Sequence, residues 1–469
     1  MSFQKSFFTP SFAGRPGRFI PKGRLATLHL KSDLLREYWE RLHTELVAQD
    51  PHVPPIKTSR HIVDPDIEQK TLNNDTQRLE LVEMTEGDRE KMRSHHAAFV
   101  HALGTLSRDL PMWKGTRGVV IPAGGGYLGI ALTSVLMLYR SGSKLPVHVF
   151  VDTYAERDPY ICDSAFPRLG AECLVFEDLL GSSIADMKHF QFKALALLCS
   201  PFEQVLFLDS DAWPIRAPDH LFDTVPFTSH GLITWPDFWQ STTSPTYYQI
   251  AGVEPPRMTT RLSSEAGILL YNKATHAKCL LLATYYNWYG PNYYYTLFSQ
   301  GAIGEGDKET FAHAAMATGQ SFWDVRAPVS VFGRWINGSY ETSGMKQADP
   351  EEDYHLYSDT PNVDHALQSP EDNKKRTAKT LFIHHNLFKV NMATIGKEDD
   401  NVFRLDSNGQ QTRLWGLEEK LMNDSGDIER AMWDVVLAAN CRVSFLSECG
   451  RLRRWYDAVF TDSLPLVSH

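Results

Sequence analysis

The stretch EQVLFLDSD, residues 203–211, decides how the rest of the chain is interpreted. Its apolar run leads directly into two carboxylates, Asp209 and Asp211, which predicts a buried strand with an acidic pair at its carboxyl end. The one-residue spacing sends both side chains to the same face if the backbone stays extended. Two hard oxygen donors at a strand end suit Mg²⁺ or Mn²⁺, although turns and helix caps also use such pairs.

Strands and helices alternate around this stretch, which predicts an α/β domain with right-handed crossovers. We expect strands at residues 118–121 and 173–176, and a further strand ending at Asp152. A helix is predicted at 128–139, and a later strand at 266–271. Ligands of open α/β sheets bind at the carboxyl ends of the strands, so the acidic pair lies where a ligand is expected.

Segments of different character flank this domain. Amphipathic helices are predicted at residues 32–47 and 88–106, and an acidic, polar surface loop at 341–376. The expected divisions are an N-terminal arm with a helical extension (1–112), a catalytic domain (113–395), and a C-terminal appendage (396–469).

Composition excludes some function classes. The net charge of −10 argues against non-specific nucleic-acid binding. No apolar run of about 18 residues occurs, so we expect membrane attachment only through an anchor that this sequence lacks.

The six cysteines form no zinc-binding pattern. Two pairs are close enough in sequence to be candidate disulfides, Cys162 with Cys173 and Cys441 with Cys449. Cys199 and Cys279 lie in apolar helical patterns and are expected to be buried thiols.

Seven blocks, in order from about Gly118 to Asn391, resemble the fungal Golgi α-mannosyltransferases that elongate and branch cell-wall mannan (glycosyltransferase family 71, the α-1,2/α-1,3 type). The blocks are GVVIPAGGGYL, LPVHVFVD, FQFKALALLCSPFEQVLFLDSDAWPI, ITWPDFW, SSEAGILLYNK, GEGDKETF and HHNLFKVN. The resemblance implies a GT-A fold, a Rossmann-like nucleotide-sugar-binding domain with a mixed, mainly parallel sheet. It also implies a GDP-mannose donor, a glycan or glycoprotein mannoside acceptor, Mn²⁺, retention of configuration and a type II anchor that places the enzyme in the Golgi lumen.

The resemblance assigns the metal site to Asp209 and Asp211, with Asp209 also reaching the donor, and to a histidine near the end of the domain. His384 and His385 both qualify, but adjacent residues on a strand face opposite ways, so only one can point into the site. We favour His385 as the ligand.

Donor binding is expected in the glycine-rich turn after the first strand and at two lysines. The turn does not match a dinucleotide fingerprint, so its glycines either allow a nucleotide to approach the backbone or form a plain turn. Lys389 would meet the donor phosphates as a point charge. Lys193 would pair with a phosphate or with a site carboxylate, and a solvated helix lysine is the alternative. The candidates in the turn and at the two lysines are Ala123, Gly124, Gly125, Tyr127, Lys193 and Lys389.

Three carboxylates are candidates for the chemistry. Asp307, with Glu305 beside it, would lie at the sugar, although Asp307 would also suit an ordinary helix cap. Glu265, at the predicted start of a strand, could approach the sugar as a nucleophile. The alternative is a front-face route, in which the acceptor attacks beside the leaving phosphate.

Acceptor binding is expected at Trp235, Asp237 and Trp239, since flat rings pack against sugar C–H faces. Two other functions stay open: a GT-A transferase using a UDP-sugar, as glycogenin does, and a degenerate homologue that only binds glycans. An aspartyl phosphohydrolase is disfavoured, because its Asp-X-Asp usually opens the chain and continues differently.

Overall fold

The computed structural model describes residues 22–63, 73, 75–359, 377–392, 394–395, 401–416, 426–440 and 449–460. Thirteen strands lie in these residues: β1 Lys57–Thr58, β2 Val82–Glu83, β3 Trp113–Pro122, β4 Val147–Val151, β5 Ala171–Val175, β6 Phe202–Leu208, β7 Ala212–Pro214, β8 Leu232–Gln240, β9 Leu262–Asn272, β10 Trp323–Asp324, β11 Ser330–Ile336, β12 Ser339–Ala348 and β13 Thr380–His384.

The α-helices are Lys22–Ala48, Glu86–Leu106, Leu128–Arg140, Phe166–Leu169, Phe176–Leu180, Gln191–Cys199, Phe227–His230, Pro245–Ala251, Ala277–Trp288, Tyr295–Ser299, Thr310–Thr318, Pro350–Tyr357, Ile428–Asn440 and Cys449–Phe460. Among the residues described, no helix has the length and apolar character needed to span a bilayer.

The main sheet has seven strands in the order β10-β8-β9-β6-β3-β4-β5. Its pairs are parallel except where β9 runs antiparallel to β6 and β8. This confirms the predicted α/β class, with a mixed and mainly parallel sheet of the GT-A type.

Strand β6 lies in the middle of the sheet because its apolar residues need cover on both faces. Val205, Leu206, Phe207 and Leu208 are all fully buried. The chain turns immediately after this strand, so the acidic pair emerges at the carboxyl edge of the sheet, as predicted.

Strand β9 is longer than the predicted 266–271 and begins at Leu262. Glu265 therefore lies inside a strand buried along almost its whole length, rather than at a strand start. A fully buried strand is usually recognised by a continuous run of apolar residues. The polar Ser-Ser-Glu near the beginning of β9 interrupts such a run, so the first residues of the strand were not predicted.

A second, antiparallel sheet has the order β11-β12-β13-β7. Its last pair sets His384 directly opposite Ala212, the residue after Asp211. The late strand β13 is thereby fixed beside the end of β6, although the two are far apart in sequence.

The surface loop predicted at 341–376 is wrong for residues 341–357. These residues form most of β12 and the helix Pro350–Tyr357, and residues 343–348 are buried between β11 and β13. Polarity misled the prediction because Gly344 and Gln347 occupy buried positions; a Cβ at Gly344 would lie 2.3 Å from the His384 carbonyl oxygen. Residues 360–376 lie outside the described residues.

The N-terminal helices belong to the same core as the sheet. The predicted apolar face of the first helix is confirmed, since its five large residues are all at most 5% exposed. These residues pack in one cluster with strand residues such as Val120 and Phe150; they are Leu35, Tyr38, Trp39, Leu42 and Leu46.

The two C-terminal helices pack on the opposite layer of the sheet. Trp433 and Trp455, one from each helix, have ring centroids 4.8 Å apart and join the cluster that includes Leu206.

A disulfide joins Cys162 to Cys173, as predicted, with the two Cα atoms 5.3 Å apart. Cys449 is also disulfide-bonded, while Cys441, its predicted partner, lies outside the described residues. Cys199 and Cys279 are buried free thiols, also as predicted.

Candidate active site

The acidic pair occupies a tight turn between β6 and β7. The Asp209 amide donates to the Gly267 carbonyl of β9 at 2.7 Å, and the Ala212 amide donates to the Asp209 carbonyl at 3.0 Å. Asp211 is 2% exposed, so its carboxylate needs partners. The turn brings both carboxylates to one small region at the sheet edge.

His384, the last residue of β13, completes a three-residue cluster. Its Nε2 lies 3.2 Å from Asp211 Oδ1 and 3.9 Å from Asp209 Oδ2. One ligand atom from each of these residues lies within 4.8 Å of the other two, which is the spacing needed to hold one metal ion.

The preference for His385 over His384 is wrong. The His385 ring packs against both Trp213 and Trp415, with centroids 5.0 and 4.8 Å away, and its Nδ1 is 2.8 Å from the Phe388 carbonyl. Burial lowers the pKa of His385 to about 3. Successive side chains along extended backbone point in opposite directions. The His385 side chain therefore points into an aromatic pocket, and the His384 side chain points toward the aspartates.

Glu265 lies on the other side of the His384 ring from the aspartates. Its Oε2 is 2.7 Å from His384 Nδ1, and the residue is 4% exposed. Burial by itself lowers the pKa of His384, but the charges of Glu265 and Asp211 outweigh that effect and raise it well above its usual value.

Lys193, in the first turn of the helix Gln191–Cys199, connects the acidic pair to Asp307. Its Nζ lies 2.8 Å from Asp209 Oδ2, 3.2 Å from the Ala266 carbonyl and 3.5 Å from Asp307 Oδ1. Burial opposes the charge on Lys193, but the two carboxylates outweigh it and raise the lysine pKa. A solvated helix lysine, the plain interpretation from sequence, is therefore ruled out.

Asp307 is 3% exposed, and its Oδ2 is buried without a hydrogen-bond partner. Burial raises the pKa of Asp307 to about 6, against the opposing charge of Lys193. The following helix, Thr310–Thr318, has no side-chain cap, so the carboxylate does not serve as one. An unpaired buried oxygen beside an acidic pair is typical of a binding site.

Lys389 and Tyr127 lie beside Asp211, whereas Lys193 contacts Asp209. The Lys389 ammonium pairs with Asp211, and it lies 5.6 Å from the centroid of the Tyr127 ring. Both residues are partly open to solvent, at 38% and 47% exposure.

The glycine-rich turn lies next to Tyr127. The Asn391 side chain donates to the Gly126 carbonyl at 2.7 Å, which joins the segment after β13 to the turn. Ala123 is held by β4, since its amide donates to the Phe150 carbonyl at 2.6 Å. A Cβ at Gly124 would lie 2.4 Å from Glu156 Oε2, the end of an exposed side chain that can move aside.

Glu305 is expected at the sugar beside Asp307, and Trp235 is expected in the acceptor platform. The burial of Trp235 contradicts the second expectation. Glu305 is exposed and makes one contact, 3.4 Å from Thr296 Oγ1. Trp235 lies inside β8, fully buried, with Nε1 donating to the Ala348 carbonyl at 2.9 Å. A ring enclosed on all sides cannot offer a face to a sugar.

The other two predicted acceptor residues also lie within β8 rather than after it. Asp237 pairs with Lys308 at 3.0 Å, and both side chains are 12% exposed. Trp239 is partly buried against Ile62 and Ala302. Neither contacts the residues of the metal cluster.

Sequence reasoning missed Phe190 and Gly267. Phe190 is 47% exposed, with its ring centroid 5.8 Å from Lys193 Nζ. The preceding His189 has φ +48°, in the left-handed region that non-glycine residues seldom adopt. Two sequence patterns could have indicated these residues: Phe-Gln-Phe directly before Lys193, and Glu-Ala-Gly in β9.

Comparison with known proteins identifies the family. The sequence matches the Mannosyltransferase family over residues 116–263 and 257–351, together about half of the chain. The chain belongs to this family. The resemblance inferred from the sequence blocks is thereby confirmed, and six of the seven blocks lie within or overlap the matched residues.

Several relatives in this family are named alpha-1,2-mannosyltransferases. MNN21 of Candida albicans is 33% identical over 387 residues, 70% of this chain and 58% of the relative. MNN24 of the same species is 41% identical over 273 residues, 51% and 38%. MNN2 of Saccharomyces cerevisiae is 29% identical over 411 residues, 74% and 68%. The chain thus spans about half the length of the curated relatives it matches first.

Solved structures with a similar arrangement include the galactosyltransferase LgtC, in complex with donor and acceptor sugar analogs. LgtC has 12% sequence identity and a TM-score of 0.37, over 68% of this chain and 95% of its own. Mouse xyloside xylosyltransferase 1 has 15% identity and a TM-score of 0.28, over 44% of this chain and 84% of its own.

Proposed function

We propose that this protein is a metal-dependent, retaining α-mannosyltransferase that moves mannose from GDP-mannose to a mannoside or glycan acceptor. The observation that carries the proposal is the convergence of Asp209, Asp211 and His384 at the carboxyl edge of the central strand. Membership of the mannosyltransferase family supports mannose as the sugar.

The residues present fit Mn²⁺. The donor set would be two carboxylate oxygens and one imidazole nitrogen, and the nitrogen disfavours Mg²⁺ and Ca²⁺, which take oxygen ligands in proteins. When bound, the ion would act as a Lewis acid that neutralises charge on the departing nucleoside diphosphate.

The chain's own residues hold the donor around that point. Lys389 offers an ammonium group to the diphosphate, and its half-exposed position lets it exchange Asp211 for a phosphate oxygen. The turn at Ala123, Gly124 and Gly125, with Tyr127 beside it, gives the nucleotide a surface with little side-chain bulk.

Retention of configuration needs either a carboxylate nucleophile or attack from the face of the leaving group. Glu265 is bonded to His384, and Asp307 lies 3.5 Å from a lysine ammonium. Each carboxylate is held by a protein partner and is therefore not free to attack as a nucleophile, which favours the front-face route. Positioning and electrostatics would then supply most of the rate, with the leaving diphosphate taking the acceptor proton.

Asp307 would act at the sugar. Its Oδ2 has no protein partner, so a sugar hydroxyl can satisfy it, and its charge can steady the positive character that develops on the ring. Lys193 holds this carboxylate and Asp209 in fixed relation to each other.

The acceptor would bind on the Asp307 side, with Phe190 as its platform. The loop that carries Asp307 packs against one flank of that ring, because a Cβ at Gly306 would lie 3.0 Å from Phe190 Cδ2. Sugar C–H groups can cover the open remainder of the ring while hydroxyls reach Asp307.

An α-1,2 linkage is favoured over α-1,3, because the relatives above are named for it. The expected location is the Golgi lumen, in keeping with the resemblance to fungal Golgi enzymes.

The decisive experiment measures GDP release from GDP-mannose with Mn²⁺ and an α-mannoside acceptor, with UDP-glucose and UDP-galactose in parallel and Asp211→Asn as the control. Release that needs GDP-mannose, Mn²⁺, acceptor and Asp211 supports the proposal, and the product linkage is then read by NMR. Release only from a UDP-sugar overturns the donor assignment. No release from any donor, with glycan binding retained, indicates a degenerate transferase.

A further inference from the structure

The His384 imidazole is held between carboxylates on both of its nitrogens. Glu265 Oε2 lies 2.7 Å from Nδ1, while Asp211 Oδ1 lies 3.2 Å from Nε2. Only the second contact faces the cluster that would bind a metal. Glu265 therefore contacts the histidine on the side away from the ion.

This arrangement decides which nitrogen can be a ligand. A histidine that binds a metal needs a lone pair on one nitrogen and a proton on the other. A carboxylate that accepts the Nδ1 proton fixes the ring in the tautomer whose Nε2 lone pair points at the ion, and it makes that nitrogen more basic.

The backbone of β9 also shapes the space for this ring. A Cβ at Gly267 would lie 2.4 Å from His384 Cε1 and 2.7 Å from Nδ1. Glycine at this position, two residues after Glu265 and on the same strand face, leaves room for the imidazole to lie flat against the strand. One strand thus supplies both the space for the histidine and the acceptor that orients it.

Within the described residues, the Glu265 carboxylate hydrogen-bonds through Oε2 alone. It is 4% exposed, and its Oε1 is buried with no hydrogen-bond partner. Burying a carboxylate in this way costs stability, and the hydrogen bond that Oε2 accepts from His384 offsets part of that cost.

We propose that Glu265 is a positioning residue that holds His384 in the Nδ1–H form and directs Nε2 to the metal. It is neither a nucleophile nor a group that contacts the sugar. The inference rests on the metal site of the proposed function and names one further residue on which that site depends.

The test is Mn²⁺ affinity without donor or acceptor, measured by titration with detection of free Mn²⁺ by EPR. We expect Glu265→Ala to weaken binding about 100-fold and Glu265→Gln about tenfold, the range seen when an outer partner of a metal ligand is changed. Glu305→Gln, a carboxylate outside the cluster, serves as the matched control and keeps the wild-type affinity. Thermal melts identify any variant that fails to fold. If Glu265→Ala does not fold, the affinity of Glu265→Gln alone decides the test.

Activity at increasing Mn²⁺ separates a positioning residue from a nucleophile. If Glu265 is a positioning residue, the Glu265→Gln variant should recover most of the wild-type kcat at saturating Mn²⁺. Folded variants that bind Mn²⁺ within twofold of wild type, or a kcat that stays lost at saturation, overturn the inference while leaving the metal site intact. Failure of the wild-type protein to bind Mn²⁺ overturns the proposed metal site and this inference together.

Discussion

Lys193 Nζ lies 2.8 Å from the Asp209 carboxylate, and the same ammonium is shared with Asp307 from a different part of the chain. The lysine side chain is only 12% exposed, so this contact is made largely away from water. One buried positive charge therefore separates a carboxylate assigned to the metal from one assigned to the sugar.

Replacing this lysine should cost both stability and activity. Lys193→Met leaves two buried carboxylates without their shared cation, for which we expect a loss of about 3 kcal/mol in the free energy of unfolding and at least tenfold in kcat/KM. Denaturant unfolding and donor kinetics measure the two effects.

Lys308→Met is the matched control for this change, because Lys308 pairs with Asp237 at 3.0 Å and is equally buried. It should lower stability and leave kcat/KM unchanged. Equal kinetic losses in the two variants would show that Lys193 matters only for folding.

Asp307→Asn should remove activity yet stabilise the metal-free protein at neutral pH. Burial raises the pKa of Asp307 to about 6 from its usual 3.8. A carboxyl whose pKa rises on folding favours the folded state below its unfolded pKa, and this benefit is lost as pH rises through about 6. We expect a gain of roughly 2 °C in Tm at pH 7.5, diminishing toward pH 4.

Melting curves of both proteins across that pH range give the comparison. A lower Tm for the asparagine variant at pH 7.5 would mean that the attraction between Lys193 and the Asp307 charge stabilises the fold more than burial of that charge destabilises it.

The two adjacent histidines should respond differently to substitution. His384→Ala removes one of three ligands, and we expect Mn²⁺ affinity to fall at least 100-fold. His385→Phe should keep the affinity within about threefold, because its ring lies among aromatic side chains, and should lower Tm through loss of the contact with the Phe388 carbonyl. Calorimetric titration with Mn²⁺ provides the measurement, and the opposite ranking would restore His385 as the ligand.

Phe190→Ala should raise the acceptor KM roughly fivefold and leave the donor KM unchanged, since a ring that packs on a sugar contributes about 1 kcal/mol. Trp335→Ala is the control, because Trp335 is 73% exposed on the β11–β12 hairpin and meets Tyr340 edge to face. An unchanged acceptor KM, or equal changes in both KM values, would remove Phe190 from the acceptor site.

Sequence reasoning succeeded where local pattern determines structure. The apolar run before Asp209 and the glycine turn at 123–126 have patterns typical of their elements, so the sheet and the position of the acidic pair were predictable. Lys193 and Lys389 also lie at the cluster, as the blocks of sequence suggested.

The failures share a physical cause. The choice between His384 and His385 depended on the register in which β13 pairs with β7, because the register decides which side chain points toward the aspartates. Pairing between residues distant in sequence sets that register. Trp235 looked like a sugar platform, yet its exposure depended on packing against the strand that contains Ala348. Tertiary contacts of this kind leave no local periodicity to detect.

The pairing of β13 with β7 has a consequence for incomplete chains. All seven strands of the main sheet are encoded before residue 325, whereas His384 and Lys389 come some sixty residues later. A polypeptide ended before Thr380 by a stop codon or a protease would retain the acidic pair and lack the histidine and the exposed lysine. Such a fragment would also lose Trp433 and Trp455 from the core cluster that includes Leu206. Truncation at this point would therefore remove a metal ligand and expose part of the sheet's core in a single event.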